Sequence, residues 1–175
     1  LAQQDVGPVH VAADIGCHSF ATLEPFSMGH SILGYGMSLA SRAGVSPLLA
    51  RRTLAVMGDG GFWHNGLLTG VQSALFNGDD AVLLILKNGY TSATGTQEMI
   101  SSPTEAQKGS APDPRASVVH RNRSIERTLE GIGVKWLRVV DSYDVALVRR
   151  TLDEAFTTGF AGLKVVVAEG ECQLE

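Results

Sequence analysis

The chain has 175 residues, 44% of them hydrophobic and 18% charged, with a formal net charge of −4. Such proportions belong to a globular domain large enough for a real core, and a mildly acidic balance without a basic cluster argues against nucleic acid as a partner. No apolar run reaches the length that spans a bilayer, and the start, Leu1-Ala2-Gln3-Gln4-Asp5, lacks the basic and apolar regions of a secretory signal. Cys17 and Cys172 form no Cys-x-x-Cys pair. A disulfide between them stays open, but a reduced cytoplasmic protein is the expectation. The chain lacks an initial Met and ends just after an apolar strand. Residues 1–175 are therefore expected to be one domain, cut from a longer multidomain chain.

In chain order, Val9 to Ala13 reads as a first strand, with Asp14 to His18 as the turn at its end. Pro25 and Gly29 mark a loop. His30 to Ala43 reads as a helix, apolar over most of its surface. Gly34 and Gly36 inside it point to close packing of another backbone or a flat ligand, since helical glycine costs up to about 1 kcal/mol relative to Ala. Leu54 to Met57 is a second strand. A helix follows from about Asn65 to Phe76, with Val71, Ala74 and Leu75 on its buried face, and Asn77-Gly78 stops it. Ala81 to Leu86 is apolar throughout and should be a central strand covered on both faces. Residues 98–122 carry Pro103, Gly109, Pro112 and Pro114 without periodicity. So long a loop reads as a lid or partner-facing segment, or as plain surface. Ser124 caps a short helix to Glu130, ended by Gly131 and Gly133, and Trp136 to Val140 is a fourth strand. Ser142 caps a helix with Val145, Val148, Leu152 and Phe156 at helical spacing, and Leu163 to Ala168 closes the chain as a strand. Strands alternating with helices give an α/β fold with a doubly wound, mainly parallel sheet.

One stretch carries chemistry. Gly58-Asp59-Gly60-Gly61 follows the second strand and Asn88-Gly89-Tyr90 follows the third. Asp59 and Asn88 are 88 − 59 = 29 residues apart, about one βαβ unit. Both then sit at the carboxyl ends of neighbouring strands, where open α/β sheets bind ligands. Glycines admit a ligand close to the backbone, and a helix N-terminus near His64 or Asn65 would favour an anion. A carboxylate and an amide offer hard oxygens that suit Mg²⁺. A metal and a phosphate held together is the reading these residues support.

The arrangement resembles the thiamine diphosphate motif, a Gly-Asp-Gly followed by an Asn one βαβ unit later. Asn88 to Gln97 is similar to the Asn-x-x-Thr-x-x-x-Gly-x-Gln stretch of indolepyruvate ferredoxin oxidoreductases. Asp14-Ile15-Gly16-Cys17 matches the segment of 2-oxoacid ferredoxin oxidoreductases that lies against the cofactor. The resemblance covers about the first hundred residues and implies the thiamine diphosphate-binding fold. It implies Asp59, Asn88 and the Tyr90 carbonyl as Mg²⁺ ligands. It implies contacts to thiamine diphosphate from Gly16, Cys17, His18, Gly58, Gly60, Gly61, His64, Asn88, Thr91 and Thr94, with His64 and His18 as catalytic candidates. Thr91, Thr94 and Gln97 suit phosphate or substrate hydrogen bonds by loop position.

Each has a plainer reading. Asp59 caps a helix in a tight turn; Asn88 is a left-handed turn residue before Gly89; Gly60 and Gly61 only make the turn; His64 only caps. Cys17 is assigned contact, not attack, because a lone Cys is usually a small hydrophobe. His10, His30 and His120 share no ligand spacing. The family also needs an activating Glu on a pyrimidine-binding domain and iron–sulfur clusters held by cysteine runs. Neither is in this chain, so the resemblance places them in other domains. It implies oxidative decarboxylation of a 2-oxo acid, an aryl pyruvate such as indolepyruvate favoured, with electrons passed to ferredoxin in an oligomeric enzyme. Two alternatives stand beside it: a non-oxidative thiamine diphosphate decarboxylase or synthase domain, and a non-catalytic phosphate- or nucleotide-binding module. No Walker or dinucleotide fingerprint supports the last.

Overall fold

The computed structural model describes residues 9–102 and 123–172. Seven strands are present among them: β1 Val11–Ala12, β2 Leu54–Gly58, β3 Val82–Lys87, β4 Tyr90–Thr91, β5 Gln97–Glu98, β6 Trp136–Asp141 and β7 Lys164–Glu169. Five form one parallel sheet in the order β1-β2-β3-β7-β6. β3 is therefore central, as its unbroken apolar run predicts.

Period-two alternation sends successive side chains to opposite faces. Ala55, Met57, Leu83, Ile85, Val165 and Val167 pack on one face with Leu39, Phe62, Val71, Ile125 and Leu129. Leu54, Val82, Val166 and Ala168 pack on the other with Trp136, Val140 and Ala155. The first face is covered by helices α1 (Ser38–Val45), α2 (residues 59–77) and α3 (Ile125–Gly131), the second by α4 (Val145–Thr157). Each fully buried Val, Leu or Ile contributes about 1.5–3 kcal/mol, so the two layers hold the sheet firmly.

Helix α2 is one continuous rod, α-helical over Asp59–Gly61, π-helical over Phe62–Val71 and α-helical again over Gln72–Asn77. Gly78 ends it in the left-handed conformation at φ 66°. It starts at Asp59, behind an extended Gly58 cap, not at His64 or Asn65. Its glycines let it lie close on its neighbours: a Cβ at Gly66 would come 2.6 Å from Met57 Sδ, and one at Gly70 3.1 Å from Leu39 Cβ.

Three further boundaries differ from the sequence reading. The helix expected over His30 to Ala43 begins only at Ser38. Residues 30–31 instead lie along β1, with His30 N–H on the Val11 carbonyl at 2.8 Å and Ala13 N–H on the Ser31 carbonyl at 2.9 Å. Gly34 and Gly36 thus precede the helix, and Gly36 takes φ 75°. Asp144, not Ser142, caps α4, accepting from Leu147 N–H, and Val145 is exposed at the helix start. Gln97–Glu98 is no loop but strand β5, antiparallel to β4 in a short hairpin, with Tyr90 opposite Glu98. The lid or partner-facing role expected of residues 98–122 falls mostly on 103–122, outside the described residues. Cys17 is exposed and Cys172 buried, and no disulfide joins them.

Candidate functional site

The carboxyl ends of β1, β2 and β3 open onto a cavity of about 280 Å³. The turn after β1 contributes Gly16, Cys17 and His18; the start of α2 contributes Gly58, Asp59, Gly60 and Gly61; the β3 end and hairpin contribute Asn88, Tyr90, Thr91 and Thr94. The structure thus brings together every expected cofactor or metal residue except His64. That residue is exposed and stands behind Tyr35, ring centroids 5.0 Å apart. Gln97 is exposed and turned to Thr94, donating to its carbonyl at 2.7 Å.

Asp59 is buried, and its carboxylate pins two strand ends together. Oδ1 accepts from Gly60 N–H at 2.9 Å; Oδ2 accepts from Asn88 N–H at 3.0 Å and Gly89 N–H at 2.7 Å. Burial pushes its pKa up, and these hydrogen bonds oppose the shift. It does not cap α2: Gly58 holds that position without a side-chain cap. Nor is Asn88 the left-handed turn residue, because Gly89 takes that role at φ 86°. The Asn88 amide is instead oriented from both sides. Oδ1 accepts from Tyr90 N–H at 3.1 Å and Nδ2 donates to Ser92 Oγ at 2.9 Å.

The glycines are required by approach. A Cβ at Gly60 would sit 2.2 Å from the Tyr35 hydroxyl and 2.5 Å from Thr91 Oγ1, hydroxyls themselves 3.4 Å apart. The N-terminus of α2 opens onto the cavity at Gly60 and Gly61, so the positive end of a long helix faces any anion placed there. His18 lies against Gly16, where a Cβ would come 2.9 Å from its Cε1. Burial lowers the His18 pKa, favouring the neutral imidazole, and its buried Nε2 has no hydrogen-bond partner among the described residues.

Sequence reasoning assigned no role to three residues. Asp14 is fully buried; Oδ1 accepts from Ile15 N–H at 2.7 Å and Gly36 N–H at 2.8 Å. Burial pushes its pKa up to about 6, against its backbone hydrogen bonds. Tyr35 and Ser92 also line the cavity. An acidic residue at a strand end was a visible signal for Asp14; nothing local marks the other two.

Two wider clefts hold charges that pair with one another. One of about 730 Å³ at the opposite end of the sheet contains the Arg42–Asp79 and Arg52–Asp80 bridges. One of about 800 Å³ beside β6 and β7 contains Lys87, held by Glu126 and Glu169.

The donor set fits a hard cation with a phosphate. Among the described residues no group of three or more His, Cys, Asp or Glu could hold a metal. A cation at this cavity would therefore meet one carboxylate and neutral oxygens, leaving positions for phosphate and water, as Mg²⁺ prefers. The thiamine pyrophosphate enzyme C-terminal TPP-binding domain family matches residues 14–167, which include all these groups. An indolepyruvate oxidoreductase subunit IorA of Methanothermobacter thermautotrophicus is 26% identical over 92% of this chain and 24% of its own length. The subunit of the same name from Archaeoglobus fulgidus is 28% identical over 97% of this chain and 25% of its own. The chain thus spans about a quarter of the length of these curated relatives. The 2-oxoglutarate:ferredoxin oxidoreductase of Magnetococcus marinus has the same fold, with TM-score 0.68 at 15% identity over 93% of this chain and 54% of that one. With the family match spanning nearly the whole described chain and its cavity, this chain belongs to the C-terminal, TPP-binding domain family of thiamine pyrophosphate enzymes.

Proposed function

We propose that this chain is the thiamine diphosphate- and Mg²⁺-binding domain of an enzyme that oxidatively decarboxylates a 2-oxo acid and passes electrons to ferredoxin. One observation carries the reading: the segments at Asp14, Asp59 and Asn88, far apart in sequence, converge on one cavity. Asp59, Asn88 Oδ1 and the Tyr90 carbonyl would hold the metal. The start of α2, with Thr91 and Thr94 opposite, would hold the diphosphate. Gly16, Cys17 and His18 would line the edge where the ring system lies. A neutral His18, its Nε2 without a hydrogen-bond partner among the described residues, can accept or give a proton at that edge; His64 lies one ring further out, behind Tyr35. When bound, thiamine diphosphate supplies a nucleophilic carbon and then an electron sink for loss of CO₂.

An aryl pyruvate such as indolepyruvate is the favoured substrate, because the relatives that match most of this chain are named for indolepyruvate. The activating Glu, carried by a pyrimidine-binding domain, and the iron–sulfur clusters are assigned to other domains or subunits of an oligomeric assembly. No helix among the described residues is long and apolar enough to cross a membrane, and the proposed site of action is the cytoplasm.

The test is reduction of a viologen dye by the intact enzyme with indolepyruvate, pyruvate and 2-oxoglutarate compared. Dye reduction fastest with the aryl substrate is expected. Decarboxylation without dye reduction would replace the oxidoreductase by a non-oxidative decarboxylase.

A further inference from the structure

Behind the proposed metal ligands lies a hydrogen-bond hub that reaches across the sheet. Ser92 is buried, and its hydroxyl touches two of those ligands. It accepts from Asn88 Nδ2 at 2.9 Å and stands 3.5 Å from the Tyr90 carbonyl, to which it donates. The Cys172 thiol donates to the same oxygen, Sγ 3.2 Å from Ser92 Oγ. Cys172 arrives there because the chain leaving β7 continues alongside β3, with Gly170 N–H on the Lys87 carbonyl at 3.0 Å.

A hydroxyl has one proton and two lone pairs. Here both lone pairs are taken, by the Asn88 amide and the Cys172 thiol, so the proton points to the Tyr90 carbonyl. The Asn88 amide has two ends of similar shape and opposite polarity. With Nδ2 committed to Ser92 and Oδ1 facing Tyr90 N–H, the end left with lone pairs toward the cavity is oxygen. A flipped amide would offer N–H groups to a cation.

We propose that Ser92 and Cys172 are positioning residues that lock the Asn88 amide with its oxygen toward the metal and hold the Tyr90 carbonyl beside it. This rests on the metal-binding reading above. Ser92 acts through Asn88 and Tyr90, and Cys172 acts through Ser92. Removing a hydrogen-bond partner behind a metal ligand typically lowers metal affinity about ten- to a hundredfold.

The test is calorimetric titration of Mg²⁺ into the whole enzyme at saturating thiamine diphosphate, with melting of the metal-free protein alongside. Ser92→Ala should weaken Mg²⁺ about tenfold or more, with the metal-free melting temperature little changed. Ser92→Thr, which keeps the hydroxyl, should stay within about threefold of the parent. Cys172→Ala should weaken Mg²⁺ a few-fold, and the double variant Ser92→Ala, Cys172→Ala no more than Ser92→Ala alone, since the proposed effect of the thiol on the metal runs through the hydroxyl. If Ser92→Ala binds Mg²⁺ as the parent does, or if melting falls with affinity and Ser92→Thr fails to restore either, the positioning role is wrong while the metal reading stands. If the two effects add, Cys172 has no part in it. If the parent itself shows no saturable Mg²⁺ binding, the metal reading falls and takes this inference with it.

Discussion

At the scale of single residues, two buried carboxylates do opposite work. Asp59 accepts three backbone N–H bonds, and the two from Asn88 and Gly89 join the ends of β2 and β3. Asp59→Ala should therefore lose Mg²⁺-dependent cofactor binding and also cost about 2–4 kcal/mol, because buried donors lose a charged acceptor. Urea unfolding checks the cost; an unaltered midpoint would mean the pinning is idle. Asp14 is held with its pKa raised from 3.8 to about 6 by burial. The folded state then binds the proton more tightly than the unfolded one. An ionised Asp14 costs stability in full above about pH 6, and the cost fades as pH falls toward the unfolded value. Asp14→Asn removes the titration, so its stability relative to the parent should rise between about pH 4 and 7 and then level. Urea unfolding of both metal-free proteins across that range decides it; a pH-independent difference refutes the shift.

Among elements, the meeting of α1 with α2 controls the cavity wall. A Cβ at Gly36, already at φ 75°, would come 2.4 Å from the Gly61 carbonyl and 2.8 Å from Gly66 N. Gly44, in α1 (Ser38–Val45), would meet nothing within 4 Å. Gly36→Ala should therefore destabilise by about 2 kcal/mol or more, through backbone strain and overpacking. Gly44→Ala should stabilise by up to about 1 kcal/mol through helix propensity. Melting temperatures moving in opposite directions would confirm the pair; equal shifts would mean that α1 does not rest on α2 as described. The same contact helps explain why the helix expected from His30 starts at Ser38: Gly36 belongs to the crossing, not to the helix.

In the whole molecule, exposed apolar side chains lie along the stretch between His18 and Tyr35, two residues that line the cavity. Phe20, Leu23, Phe26 and Leu33 are each at least 60% exposed. Met28, in the same stretch, packs against the core beneath β1. A patch of this kind beside a half-open site fits a surface that another domain covers. The 175-residue chain alone should bind thiamine diphosphate with Mg²⁺ yet turn over no 2-oxo acid, and should self-associate. Exchange of the cofactor's C2 proton for deuterium, followed by NMR on this chain and on the full assembly, tests it. Equal rates in the two would place the activating group in this chain.

What the sequence determined by itself was local or periodic. The apolar runs Ala81 to Leu86 and Leu163 to Ala168 read as strands, the first of them central, and they are the neighbours β3 and β7. The spacing of Asp59 and Asn88 placed both at strand ends, because one βαβ unit returns the chain to the same edge. The tertiary structure decided what depends on contacts between distant segments. Asp14 meets Gly36 across 22 residues, and Cys172 meets Ser92 across 80. No local pattern encodes such contacts, because hydrogen bonding between distant segments follows from how helices and strands stack once the core has formed. For the same reason the start of α1 was misjudged: an apolar, helix-like stretch was claimed by β1 and by the crossing at Gly61, where packing outweighs intrinsic propensity.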